Sequence, residues 1–453
     1  MRDLTQGPIT AHLLGMAAFI GVSLIFQTLY FIVDLYFVSR LGNEAIAGVS
    51  ASGNVFFLAL AANQLISIGV MALVAQAIGK KDAAEANHYS DQAISMALAG
   101  AVLMLVLGYA IGGGAVRALT ADAESAAQGS AYLFAFLPSL ALMYPSSAMV
   151  SALRGAGVTM PTMVLQTATV LLNVVLAPVL IAGWGTGIPL GAAGAGLASS
   201  ISALVGFVGL VFMFPRVQRY LRLHLAALAP DFDAWRRITF IGLPTSLEFL
   251  LMFAIFVVIY WVIRDFGAAA QAGFGIGGRI MQSIFLPAMA VAFAAAPIAG
   301  QNFGAGRHDR VRETFRTTAL IGSAIMLSLS VLCHVNPSVL ARPFSDDPEV
   351  LAVSNDYLQV ISWNFVFSGL VMAAGAMFQG MGDTRPSLFA SLTRTVTFVA
   401  PAIWMSTQPW FQLHHVWLLS VASVMSQCAL VMWLLFRQFA RKLTPAASLA
   451  AAG

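Results

Sequence analysis

The sequence predicts an all-α, polytopic membrane protein: twelve transmembrane helices in two pseudo-symmetric six-helix bundles. Three observations lead there. The chain has 453 residues, of which 59% are hydrophobic and only 9% charged, whereas a soluble domain carries about 25% charged residues. Apolar runs of about 20 residues, the length that crosses a hydrocarbon core, recur along the whole chain. And the sequence repeats itself at one constant offset of 225 residues.

The spans follow from the apolar runs in order. They are expected near residues 12–38, 46–78, 92–113, 130–152, 161–182, 190–213, 238–263, 270–301, 317–334, 355–378, 387–406 and 415–436. The first run starts near His12 and continues almost to Arg40, too long for a cleaved signal peptide and followed by too many others. The second and eighth runs are long, so their helices tilt or extend beyond the lipid. Pro287 and Pro297 are candidate kinks in the eighth.

Orientation follows from Lys and Arg in short loops. One set of loops and ends holds seventeen cations, from Arg2, Lys80, Lys81 and Arg154 through Arg216, Arg219, Arg222, Arg236 and Arg237 to Arg437, Arg441 and Lys442. The other set holds four: Arg40, Arg117, Arg264 and Arg342. This asymmetry places both termini in the cytoplasm and requires an even number of spans. Basic residues confined to membrane loops give no reason to expect nucleic acid as a partner, despite a net charge of +4. Cys333 and Cys428 form no CxxC and no metal-ligand spacing.

The repeat pairs "QAIG" (Gln76 to Gly79) with "QNFG" (Gln301 to Gly304), and "RGAGVTMP" (Arg154 to Pro161) with "QGMGDTRP" (Gln379 to Pro386). Gly42, Ala47, Gly48 and Gly53 match Gly267, Ala272, Gly273 and Gly278, and Tyr132 matches Tyr357. Each half holds an even number of spans, so both enter the membrane from the same side. Two lobes, 1–226 and 227–453, are therefore expected about a pseudo-two-fold axis along the membrane normal, with a cavity between them and the basic segment 214–237 joining them. That arrangement suits alternating access.

Of 19 acidic residues, only Asp34 and Glu248 fall well inside spans. Asp91 and Asp356 lie at span edges, where water is expected to reach them. A charge at membrane depth costs several kcal/mol, so its default reading is functional. Asp34, in "YFIVDLYFV", lies eight residues before Gly42 in the outer half of the first lobe. Burial disfavours the charged form of a carboxylate, which suits a group that loads and releases a proton. The competing reading pairs Asp34 with Arg40. Glu248 falls near the bilayer centre of the second lobe, four residues past Pro244. It is a candidate for substrate or proton binding, or for a structural pair with a cation such as Arg394 in the eleventh span. Asn173 is a polar group inside the fifth span, able to hydrogen-bond Asp34 or to tie two helices together.

No HExxH, GxSxG or Walker loop is present. "GFGIGG" (Gly273 to Gly278) fits GxGxxG on paper, but it opens a span instead of joining a soluble strand to a helix, and it reads as close helix packing.

Taken together, "VDLYFVSRLGNEAIAGVS", "VAQAIGKKD", "ALRGAGVTMP", "LLNVVLAPVLI", "GAAGAGLASSIS" and the second-half "AGQNFGAG" and "FQGMGDTRP" resemble the multidrug and toxic compound extrusion (MATE) family over residues ~8 to 440. The resemblance implies a V-shaped pair of bundles in the bacterial inner membrane. It implies export of organic cations or other amphipathic small molecules, driven by entry of H⁺ or Na⁺, with no other cofactor and with function as a monomer. The family's first-span Asp matches Asp34, its fifth-span Asn matches Asn173, and the hydroxyl of its sixth-span "GAAxAT" pattern matches Ser199. Tyr30, Glu248 and Arg394 are the candidates for substrate contact or a second acidic site. Many members carry another Asp four residues after the fifth-span Asn. Here that position is Ala177, which removes a hard oxygen ligand and favours H⁺ over Na⁺. The family's seventh-span acid sits about one turn later than Glu248, and its tenth-span acid has no counterpart here. A lipid-linked oligosaccharide flippase of the same superfamily is the rival reading, and a membrane-embedded enzyme or sensor a more distant one.

Overall fold

The structure, a computed structural model, describes residues 3–185, 187–217 and 228–443. Of the loop cations counted above, Arg2, Arg219 and Arg222 lie outside the described residues. The described chain is helical with no strand. Its helices are α1 (Ile9–Ser39), α2 (Asn43–Gly79), α3 (Ala83–Leu119), α4 (Ala123–Gly155), α5 (Met160–Ala182), α6 (Gly191–Val217) and α7 (Phe232–Ile263), then α8 (Ala268–Gly304), α9 (His308–Val335), α10 (Pro337–Ala341), α11 (Pro348–Ile361), α12 (Asn364–Gly380), α13 (Arg385–Ser406) and α14 (Leu413–Lys442). Eleven are long and apolar enough to cross a bilayer, and α11 with α12 forms a twelfth span bent by 54°. The protein is a multi-pass membrane protein.

The helix ends are written in the sequence. Asp82, Asp122 and Asp347 cap α3, α4 and α11, accepting from the amides of Glu85 (2.8 Å), Ser125 (2.7 Å) and Glu349 (2.9 Å). A capping side chain satisfies one of the amides that have no intrahelical partner. The "RGAGVTMP" and "QGMGDTRP" motifs are one construction used twice. Gly157 (φ 76°) and Gly382 (φ 70°) take the left-handed conformation just past α4 and α12. Pro161 and Pro386 then sit in the first turns of α5 and α13, where no amide donor is needed.

The repeat also holds in the packing. A Cβ on Gly48 would lie 2.3 Å from the Ser125 carbonyl oxygen, and one on Gly273 would lie 2.9 Å from that of Val350, 225 residues on. Gly155 stands over Met71 O at 2.8 Å, and Gly380 over Ala296 O at 2.7 Å, again the same offset. These glycines let helix backbones touch where any side chain would hold them apart. "GFGIGG" belongs to this class: it lies inside α8, where Cβ atoms on Gly273 and Gly277 would meet Val353 at 2.7 Å and Tyr357 at 2.3 Å.

The compact units are Val22–Ser246, and Leu4–Gly21 with Leu247–Gly453. They differ from a cut at 226/227, because α1 and α7 each change unit part-way along. The two crossing points, 21/22 and 246/247, are themselves 225 residues apart. In the second unit, Gln301 accepts from the Leu4 amide (3.2 Å), while Asn302, Arg307 and Arg310 donate to the carbonyls of Leu4 (3.1 Å), Thr5 (2.7 Å) and Gly7 (2.8 Å). The "QNFG" motif thus anchors the chain ahead of α1.

Three local expectations change. The tenth span is not one straight helix: it breaks at Ser362–Trp363, and Ser330 donates to the freed Ser362 carbonyl at 2.8 Å. α8 runs for 37 residues with Pro287 and Pro297 inside it, so neither proline ends the helix. Asp91 does not meet water, being 2% exposed on α3, whereas Asp356 is half-exposed and bonds His414 at 2.7 Å.

Gly48→Ala should lower stability by about 1–3 kcal/mol through overpacking. Gly53→Ala, on the same helix with nothing within 4 Å, should be neutral or stabilising. Thermal unfolding in detergent checks this, and equal shifts for the two variants would contradict it.

Candidate functional site

In the first unit, α1, α4, α5 and α6 bring several intramembrane polar groups into one cluster. On α1, Tyr30 and Asp34 lie four residues apart, on one helix face. Asp34 is 9% exposed. The α4 residue Tyr132 donates its hydroxyl to Asp34 Oδ2 at 3.4 Å. Tyr30 donates to Ser199 Oγ on α6 at 2.6 Å, and Asn173 Nδ2 on α5 donates to the same oxygen at 3.4 Å. Ser199 donates a hydrogen bond to the Ala195 carbonyl one turn back, at 3.1 Å. Asp34 Oδ1 and Asn173 Oδ1 are buried acceptors with no hydrogen-bond partner among the described residues.

The "GAAGAGLASS" run explains how three helices converge here. Cβ atoms on Gly194 and Gly196 would meet Leu180 O at 2.4 Å and Tyr132 O at 2.5 Å. Small residues therefore bring α6 against α5 on one side and against the Tyr132 turn of α4 on the other. Ser199 emerges from the same helix one turn later, in reach of Asn173 and Tyr30. Ala177, one turn past Asn173, is fully buried among apolar neighbours and adds nothing polar.

The structure thus brings together Asp34, Asn173, Ser199 and Tyr30. Asn173 bonds Ser199 and not Asp34. Arg40 does not pair with Asp34: its guanidinium bonds the Tyr36 hydroxyl and lies 4.6 Å from the centre of that ring. Tyr132 is the member that a reading of charges missed. Its one sequence signal was the match to Tyr357 across the repeat.

Glu248 and Arg394 lie apart from this cluster, in the second unit. Glu248 Oε1 is buried and has no partner among the described residues. Arg394 does not pair with Glu248. Its Nε is buried without a partner among the described residues. The positions equivalent to Tyr30, Asp34, Asn173 and Ser199 are Ile255, Ile259, Phe398 and Val424. All four are buried and apolar. The backbone is repeated and the polar site is not.

Tyr132→Phe removes the donor to Asp34 and should cost about 1–2 kcal/mol, since it leaves a buried carboxylate oxygen bare. Tyr357→Phe, its repeat equivalent without a carboxylate to serve, should cost less. Thermal unfolding of both variants in detergent measures the difference, and an equal or reversed order would contradict it.

The MatE family profile matches residues 20–179 and 244–404, more than half the chain in two copies. The chain is 24% identical over 392 residues to the probable multidrug resistance protein NorM of Thermotoga maritima, covering 85% of this chain and 81% of that protein. It is 22% identical over 422 residues to the multidrug export protein MepA of Staphylococcus haemolyticus, covering 92% and 91%. Its fold matches a solved MOP-superfamily transporter from Pyrococcus furiosus with a TM-score of 0.90 at 22% identity, covering 98% of each chain. Twelve spans, a two-fold internal repeat and two matches to one profile lead to a single assignment: the chain belongs to the MatE family of membrane transporters.

Proposed function

We propose that the protein is a proton-coupled exporter of amphipathic organic compounds, with both termini in the cytoplasm and Asp34 as the proton carrier. The names of its relatives, a multidrug resistance protein and a multidrug export protein, support the substrate class. One observation carries the coupling role: an intramembrane carboxylate with no cation beside it and one oxygen without a partner.

The chemistry follows from what each group can donate. Ionised Asp34 only accepts hydrogen bonds, and Tyr132 supplies one. Protonated Asp34 becomes a donor, and a spare acceptor, Asn173 Oδ1, lies in the same cluster. Protonation therefore changes which bonds the cluster prefers, and with them the packing of α1 against α4, α5 and α6. Exchange requires that proton and substrate favour different states of the protein. Release of the proton to the cytoplasm and loading from outside would then drive substrate outward. The Tyr30–Ser199–Asn173 chain fixes the other wall of the site.

Na⁺ is the alternative coupling ion. A hard cation needs several oxygen ligands at short range, and Ala177 offers none where many relatives of this sequence pattern have an acid. The lipid-linked oligosaccharide flippase reading is disfavoured by the scarcity of intramembrane cations, of which Arg279 and Arg394 are the two available.

Purified protein in liposomes tests the proposal. An imposed pH gradient should drive transport of a fluorescent organic cation, an imposed Na⁺ gradient should not, and Asp34→Asn should transport no faster than empty liposomes. Full proton-driven transport by Asp34→Asn would overturn the role of Asp34. Transport driven by Na⁺ alone would overturn the choice of ion.

A further inference from the structure

The helix that aims Tyr132 at Asp34 is interrupted one turn later. Pro138 lies inside α4 and has no amide, so the Phe134 carbonyl loses its ladder donor. Tyr109 of α3 supplies one instead, donating its hydroxyl to that carbonyl at 3.1 Å. The next rung, from the Ser139 amide to the Ala135 carbonyl, is bridged by a side chain of another helix. Ser200 Oγ of α6 accepts from the Ser139 amide at 3.2 Å and donates to the Ala135 carbonyl at 2.6 Å. A hydroxyl inserted in this way keeps both backbone groups bonded while the turn opens. Prolines and inserted side chains are where helices bend.

The repeat marks this rung as a weak point in both lobes. In the second lobe the span breaks at Ser362–Trp363, the equivalents of Leu137 and Pro138. Val360, the equivalent of Ala135, accepts from the Trp363 amide at 3.3 Å, three residues on instead of four. Asn364, the equivalent of Ser139, begins a new helix. The equivalent of Ser200 is Met425, which has no hydroxyl to bridge the gap. The second-lobe span bends there by 54°, whereas α4, despite its proline, runs as one helix of 33 residues.

α6 ties the bridged rung to the carboxylate cluster. Ser199, next to Ser200 in the chain, accepts from Tyr30 and Asn173. One turn earlier, a Cβ on Gly196 would lie 2.5 Å from Tyr132 O and 2.9 Å from Phe136 N. α6 therefore touches α4 at the Tyr132 turn through Gly196 and at the interrupted turn through Ser200. Tyr132 stands three residues ahead of Ala135. A change of angle at this rung swings its hydroxyl relative to Asp34, which it reaches at 3.4 Å.

We propose that residues 135–139 of α4 form a hinge held at its working angle by the Ser200 bridge, so that Ser200 is a positioning residue for the Tyr132–Asp34 contact. Ser200 acts through Tyr132 and not on the carboxylate itself. Its part in transport rests on the proton-carrier reading of Asp34, and the contact it sets is measurable without transport.

Titration of Asp34 in the full-length protein in detergent, with no gradient imposed, provides the test. It is followed by the infrared carboxyl C=O band that Asp34→Asn removes. Tyr132→Phe takes away the donor and should move the titration midpoint by roughly half a pH unit or more, the worth of one hydrogen bond. Ser200→Ala should move it the same way. Adding Ser200→Ala to Tyr132→Phe should move it no further, because the serine acts through the tyrosine. Ser200→Thr, which keeps the hydroxyl, should restore the wild-type midpoint. Ser202→Ala removes a buried hydroxyl of the same helix that has no partner among the described residues, and should leave the midpoint unchanged. Pro138→Ala returns an amide donor to the Phe134 carbonyl and removes a helix breaker, so it serves even where Ser200→Ala does not fold, and it too should shift the midpoint. A wild-type midpoint in Ser200→Ala or Pro138→Ala, or single shifts that simply add in the double variant, would overturn the hinge. Full proton-driven transport by Asp34→Asn in liposomes, by contrast, would overturn the coupling role of Asp34 and leave this titration standing.

Discussion

The structure turns on the cost of placing a carboxylate where water does not reach. Asp34 sits in an apolar helix, 9% exposed, with a single hydroxyl donor at 3.4 Å and no cation. A buried ionised carboxylate is tolerated when it is paired with a cation or bonded by several donors. Among the described residues Asp34 has neither. The small-residue face of α6 brings Ser199 and Asn173 near, and the Ser199 oxygen that Asn173 bonds also engages Tyr30 instead of the carboxylate.

The internal repeat shows what is structural and what is chemical. Glycines at helix crossings, left-handed glycines after α4 and α12, and prolines opening α5 and α13 all recur at one offset. The four polar positions of the first site do not recur, and Ile255, Ile259, Phe398 and Val424 fill their equivalents. One backbone plan therefore supports a polar cluster in one lobe and apolar side chains at the equivalent positions in the other.

The repeat, the span count and the helix ends were legible because they rest on local chemistry: apolar length, glycine conformation and proline's missing amide. Asp34 and Asn173 were legible as polar exceptions in apolar runs, and Ser199 only through the resemblance to the family's sixth-span pattern. Tyr132 was not, because a tyrosine in a membrane helix is unremarkable until the rotation of α4 aims it at Asp34. The bend between α11 and α12 was hidden for a similar reason, since the side chain that caps the break, Ser330, comes from a different helix. Arg394 and Glu248 looked like partners from position alone, and side-chain direction on α7 and α13 sent them to different neighbours.

Infrared difference spectroscopy of the carboxyl C=O stretch tests the central claim most directly. In wild-type protein the protonated-carboxyl band should grow as pH falls and shrink when substrate binds, and Asp34→Asn should remove the substrate-sensitive component. A substrate-sensitive band of undiminished size in Asp34→Asn would show that another group carries the proton.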